Sequence, residues 1–243
     1  MIRRSLGLSL ALVALALLAG AGYPVQAQVP PADVTVKGIS APAGAYWSSQ
    51  EVVMEGRQRI THQHGLEFVY ALQGDAAVVR DGQTTRIPQG AAAAVPAGAT
   101  HTHLSPADSS RIAAFQLAPA EATWDGLTVL RARRTGVLES YRPGAQYARL
   151  LEVRLQPLSQ TAVHTHPGPE TTFVLEGPIV VQVEGKLTML LRGDLYALPG
   201  DTVLQARYIG GAGIGRFLAL FVVAEEAPFS TPIPAGFKTP PAP

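Results

Sequence analysis

The sequence predicts an all-β protein made of two copies of one small domain, and three observations support that. Runs of Val, Leu, Ile, Tyr and Phe are short and are broken by Gly, Pro and Asp rather than continued at helical spacing. That is how half-buried strands of a sandwich or barrel read. Asp81-Gly82 and Glu184-Gly185 each separate a pair of apolar runs, as tight hairpin turns do. The third observation is an internal repeat. His62 and His64 recur 102 residues later as His164 and His166, and Glu67, Gly74, Gly82, Gly90 and Pro96 recur 103 residues later as Glu170, Gly177, Gly185, Gly193 and Pro199. One register change, between the second histidine and the glutamate, relates the copies, which are placed at 40–120 and 125–225.

In chain order, residues 1–27 come first. Arg3 and Arg4 precede an apolar run from Leu6 to Leu18, and Val25-Gln26-Ala27 offers a small-residue cleavage site. The run is short for a span of about 20 residues, so the segment reads as a secretory signal peptide and not an anchor. The mature chain is therefore expected in the periplasm or secreted. The arginine pair admits the general export route or the twin-arginine route. Cleavage removes two arginines and leaves 17 Lys+Arg against 18 Asp+Glu. With no basic block, nucleic acid is excluded as a partner, and no stable membrane insertion is expected after cleavage. The absence of cysteine excludes disulfides, thiolate metal sites and a cysteine nucleophile. The proline-rich stretch within 226–243 reads as an extended, poorly ordered tail.

Between these ends, the six histidines fall into three H-x-H pairs: His62 and His64, His101 and His103, His164 and His166. Residues two apart on a strand share a face. Packing gives histidines no reason to pair. Two imidazoles on one face, with a carboxylate from a neighbouring strand, begin a nitrogen–oxygen metal site. A pair on a solvated strand face is the alternative, and three pairs within a repeat argue against it.

On these residues the chain resembles the cupin family in its bicupin form. Gly56, His62, His64, Glu67 and Gly74 follow the first cupin motif, except that only Gly65 and Leu66 separate His64 from Glu67. Gly90, Pro96, Gly98 and His101 follow the second motif. In the second copy His164, His166, Glu170 and Gly177 keep the ordinary gap, Leu158 replaces the leading glycine, and Leu204 stands where the last histidine belongs. The resemblance implies two tandem double-stranded β-helix (jelly-roll) barrels, with three histidines and a glutamate holding a divalent ion inside a barrel.

Carried onto this chain, the resemblance names His62, His64 and His101 as metal ligands. Glu67 is the fourth, or His103 if the short gap turns Glu67 away; otherwise His103 is a proton carrier facing the cavity, or simply surface. The small side chains Ala91 to Ala94 offer room for a substrate. His164, His166 and Glu170 form a second set with the composition of open non-haem iron sites, or are remnants in a structural barrel. Gln58, four residues before His62 and matched by Gln160, is expected to face inward and to bond a substrate, a bound water or an imidazole. Arg59 sits where oxalate decarboxylases of the family carry a substrate-binding arginine, but strand parity turns it outward. Imidazole and carboxylate suit Fe, Mn, Zn, Ni, Cu or Co; the family points to Fe or Mn. The implied function is that of a divalent-metal-dependent oxidoreductase, dioxygenase or decarboxylase acting on a small oxygenated substrate. The alternatives are a non-catalytic periplasmic protein that binds a metal or small ligand, and a structural protein. Pairing of cupin barrel edges leaves a homodimer open.

Overall fold

The computed structural model describes residues 31–118, 123–138 and 144–233. The expected signal peptide lies outside these residues. Among those described there is no α-helix, and none long and apolar enough to cross a membrane. The N-terminal half of the chain forms β1 (Asp33–Ile39), β2 (Tyr46–Glu55), β3 (Arg59–His62), β4 (Leu66–Gln73), β5 (Ala76–Arg80), β6 (Gln83–Ile87), β7 (Ala92–Val95), β8 (His101–Leu104) and β9 (Ser109–Ala118). Then follow β10 (Thr128–Arg134), β11 (Gln146–Leu155), β12 (His164–Thr165), β13 (Glu170–Glu176), β14 (Ile179–Val183), β15 (Lys186–Leu190), β16 (Leu195–Leu198), β17 (Leu204–Tyr208), β18 (Gly215–Ala224) and β19 (Thr231–Pro232).

Two antiparallel sheets make each barrel. The first has the orders β10-β2-β9-β4-β7 and β3-β8-β5-β6; the second has β1-β11-β18-β13-β16 and β15-β14-β17-β12-β19. The hairpins at Asp81-Gly82 (φ 50° and 72°) and Glu184-Gly185 (φ 46° and 83°) hold two successive residues at positive φ, the twist that joins adjacent strands through a two-residue loop. The edge strands are exchanged. β1, ahead of residue 40, pairs with β11 of the second barrel, while β10, inside 125–225, pairs with β2 of the first. Each barrel is thus completed by a strand from the other side of the sequence boundary.

The described residues form three apolar clusters. One fills the first barrel around Val52, Val69, Val78 and Ile112, and another fills the second around Val174, Ile179, Leu198 and Phe221. The third lies between the barrels, where Trp47, Phe68, Tyr70 and Phe115 meet Leu150, Phe173, Leu218 and Leu220. The rings of Phe115 and Phe173 are edge-on, with centroids 5.0 Å apart. This third cluster explains why apolar residues follow one another directly in β4, β9, β13 and β18: one face lines a barrel and the other lines the seam. A polar knot crosses the same seam. Buried Glu152 accepts from Arg154 and Arg216, and Arg216 also donates to the Tyr70 hydroxyl at 2.8 Å. Burial pushes the Tyr70 phenol up to about 12.

Part of the expected tail is built into a sheet. Thr231–Pro232 forms β19 and pairs with His164–Thr165, and Ile233 N donates to Val163 O at 3.1 Å. Proline is tolerated there because β19 is an edge strand, where one side of the backbone needs no partner. Residues 234–243 of the expected tail lie outside the described residues.

Candidate metal centres

The register of the first barrel brings the histidine pairs together. β3 and β8 are antiparallel neighbours with His62 opposite His101 and Ile60 opposite His103. His64 and Gly65 leave the strand after β3, so the shortened gap before Glu67 is absorbed outside regular structure. Glu67 then sits on β4 and shares its inward parity with Val69 and Ala71, which belong to the interior cluster. The ligating atoms of His62, His64, Glu67, His101 and His103 all lie within 4.8 Å of one another. His103, expected as reserve ligand or proton carrier, joins the four others.

These distances suit an ion. Donors about 2.1 Å from a cation stand about 3 Å apart when adjacent. Here Glu67 Oε2 lies 3.2 Å from His101 Nε2 and 3.1 Å from His103 Nε2, the two Nε2 atoms lie 3.1 Å apart, and Glu67 Oε1 is 3.7 Å from His64 Nε2. Glu67 Oε2, His62 Nε2 and His64 Nε2 are nevertheless buried without a hydrogen bond of good geometry. Three buried acceptor atoms this close to the other donors and without a hydrogen bond of their own are satisfied together by a cation held among them. The far ring nitrogens support this. Nδ1 of His64 and His101 donate to the Gly65 and Ala99 carbonyls, both at 2.9 Å, which leaves Nε2 of each neutral ring bare.

Burial acts on each of these groups. It pushes His62 down to about 4, helped by the neighbouring imidazoles. It works to raise Glu67, but His103 and His101 outweigh it and hold the carboxyl well below its ordinary range. It works to lower His101, but the Glu67 carboxylate 3.2 Å away and the Ala99 carbonyl outweigh it and the ring is raised.

Three residues that the sequence did not flag complete this centre. Gln116, opposite Glu67 on β9, donates from Nε2 to Glu67 Oε1 at 3.1 Å. Trp124 packs edge-on to His62, with ring centroids 4.9 Å apart, and tilted against His103 at 5.0 Å, and its indole donates to buried Gln50. A polar side chain inside the apolar run IAAFQLA was the available signal for Gln116; nothing local marked Trp124.

Gln58 is not at the centre. It is exposed in the β2–β3 turn, where its Oε1 accepts from Glu55 N at 2.8 Å. Strand parity fails because β3 begins only at Arg59. Gln160 is likewise engaged outside, with Arg207. Arg59 is exposed, as parity required. Ala91 and Ala93, expected to leave room for a substrate, pack against the interior cluster.

In the second barrel His164, His166 and Glu170 also converge within 4.8 Å. β12 and β17 place Leu204 opposite His164, the position His101 takes opposite His62. Nδ1 of His164 and His166 donate to the Ala162 and Phe229 carbonyls, both at 2.7 Å. Glu170 Oε2 lies 3.5 Å from His166 Nε2 and has no hydrogen-bond partner. Burial pushes Glu170 up to about 7, and burial, with His164 and Arg149 adding to it, pushes His166 down to about 4. The donor set fits a cation in kind, with fewer donors and an apolar surround.

Comparison with known proteins agrees with this architecture. The cupin-domain family model matches residues 51–113 and again 151–221. No curated protein sequence matches the chain. Among solved structures, AerE from Microcystis aeruginosa is similar with a TM-score of 0.55 at 12% identity, covering 78% of this chain and 97% of that one. A variant of Bacillus subtilis oxalate decarboxylase gives 0.59 at 14%, covering 82% and 74%. The formate complex of Lactobacillus farciminis oxalate decarboxylase gives 0.59 at 14%, covering 82% and 83%. At such identities the likeness is one of fold. With two matched domains, two antiparallel barrels and a histidine–carboxylate cluster in each, this chain belongs to the cupin family and is a bicupin.

Proposed function

We propose that this protein is an exported bicupin that binds a divalent metal ion in its first barrel and acts as a metal-dependent oxidoreductase, dioxygenase or decarboxylase on a small oxygenated substrate. The observation that carries the reading is the convergence of four imidazoles and one carboxylate, with buried donor atoms that have no other partner. His62, His64, His101 and Glu67 hold the ion, with His103 as a fifth donor. Iron or manganese is the preferred ion, in keeping with the Mn(II) centres described for Bacillus subtilis oxalate decarboxylase. A bound ion of this kind supplies Lewis acidity and, for iron or manganese, access to a second oxidation state. The chain supplies the rest. Gln116 fixes the Glu67 carboxylate, the Gly65 and Ala99 carbonyls fix two ring tautomers, and Trp124 shields the His62 and His103 rings from water. If His103 is released from the donor set, its Nε2 remains 3.1 Å from Glu67 Oε2, within reach to pass a proton.

A second reading, non-catalytic metal binding, is favoured by one feature. Five donors leave a six-coordinate ion a single open position, and Trp124 packs beside two of the rings. The test is to purify the protein from its native compartment, measure bound metal, and record oxygen uptake and carbon dioxide release with oxalate, catechols, flavonols and β-diketones. Turnover that disappears in His62→Ala/His64→Ala supports the enzyme. Metal without turnover of any of these supports the second reading. Unchanged metal in the double variant overturns both.

A further inference from the structure

A cavity of about 650 Å³ lies where the two barrels meet, apart from both histidine–carboxylate clusters. The ends of β4 and β9 from the first barrel and of β11, β13 and β18 from the second form it. Its floor continues the apolar seam, through Tyr70 at 1% exposure and Leu175 at 6%. Among the described residues four arginines line it, Arg111, Arg154, Arg192 and Arg216, against one carboxylate, Glu176. The repeat contributes to that charge. The turn that carries Gln89 in the first copy carries Arg192 in the second, 103 residues on, and both residues border the cavity.

The four arginines are not equally engaged. Arg154 donates to Glu152 at 2.9 and 3.1 Å. Arg216 divides its three nitrogens among Glu152, Glu176 and the Tyr70 hydroxyl, each at 2.8 Å. Arg111 and Arg192 have no side-chain hydrogen bond or ion pair among the described residues. The Nε of Arg111 is buried and has no hydrogen-bond partner, so nothing in the chain offsets its lost hydration. Arg192 is exposed at the mouth. Four guanidinium groups against Glu152 and Glu176 leave an excess of two positive charges around the cavity. A guanidinium is a planar fork that matches a carboxylate through two parallel hydrogen bonds. One carboxylate at each unengaged fork balances the excess, and the apolar floor favours carbon between them. The volume falls within the roughly 300–1,000 Å³ of ordinary small-molecule sites. Arg111 is on β9 and Arg192 is in the β15–β16 turn, so a ligand held by both touches each barrel.

We propose that the cavity at the seam binds a small organic dianion, two carboxylates on a compact carbon body, with one carboxylate held by Arg111 and the other by Arg192. The site lies outside the barrel interiors and does not depend on the ion-binding reading of the first barrel. Titration calorimetry of the full chain at low ionic strength with isophthalate, benzoate and isophthalamide tests it. Isophthalate is expected to bind, and benzoate roughly tenfold more weakly for want of one charged contact. Isophthalamide, of similar outline but uncharged, is expected not to bind detectably. Arg192→Ala and Arg111→Met are each expected to weaken isophthalate roughly tenfold. Arg192 is exposed, so its variant is informative even if Arg111→Met does not fold. Metal content is measured on the same samples, which separates binding at the seam from binding at the first-barrel ion. Affinity lost in Arg192→Ala with metal retained supports the proposal. Absence of isophthalate binding, equal affinity for benzoate or isophthalamide, unchanged affinity in Arg192→Ala, or affinity that follows metal content instead of Arg192 each overturns it.

Discussion

The two barrels hold their repeated histidines in opposite surroundings. In the first, His62 and His64 meet two further imidazoles, a carboxylate and an indole; in the second, His164 and His166 meet one carboxylate and a wall of hydrocarbon. The difference is concentrated at one register position, where His101 faces His62 and Leu204 faces His164. The same glutamate is driven in opposite directions as a result. Glu67 among imidazoles is held low despite its burial, while Glu170 among side chains of leucine and phenylalanine rises to about 7. One copy has concentrated ligands and the other has opened space.

The largest expected effect tests whether the ion belongs to the first barrel. His62→Ala/His64→Ala should remove essentially all first-barrel metal, read by elemental analysis per chain, while His164→Ala should spare it. Reversal of that order would assign the ion to the wrong barrel. Next is Trp124, 6% exposed and packed against the His62 and His103 rings. Its replacement by alanine should cost about 3–5 kcal/mol, seen in urea unfolding, with weaker metal retention. A loss below about 1 kcal/mol would mean the ring is not a structural cover.

The third effect separates the two glutamates by pH in metal-free protein. Folded Glu170 keeps its proton up to about pH 7, against an ordinary value of 4.5. The folded state therefore binds more protons than the unfolded state between those values, and stability contributed by the neutral carboxyl is lost as pH rises through them. Glu170→Gln has no proton to lose. It should be more stable than the parent by about 3 kcal/mol at pH 8 and alike at pH 4, measured by paired unfolding curves; an equal gain at both would refute the burial argument. The smallest effect sharpens the register comparison. Leu204→His rebuilds the missing ligand opposite His164 and should tighten metal binding at the second site roughly tenfold, by competition with a chelating dye. No gain would mean that cavity shape, and not ligand count, sets the difference.

Much of this was legible before any coordinates. The duplication, the all-β class and the metal-type character of the paired histidines follow from spacing alone, because a strand puts residues two apart on one face and turn residues mark strand ends. The hairpins at Asp81-Gly82 and Glu184-Gly185 were readable for the same local reason. Gln58 misled because parity holds only within a strand, and the strand starts one residue later. Trp124 and Gln116 were hidden because each reaches the centre across a long chain separation. The fold-back at Phe229 to Pro232 was masked by proline, a residue that suits loose tails and sheet edges alike.

The linear order of residues sufficed to say which side chains share a face and which ligand the second copy lacks, since both are matters of period and identity. Whether Glu67 points inward after its shortened gap, whether His103 joins the cluster, which strands complete which barrel, and where a cavity remains depended on long-range packing. Those depend on free energies shared among strands far apart in the chain, and no local pattern encodes them.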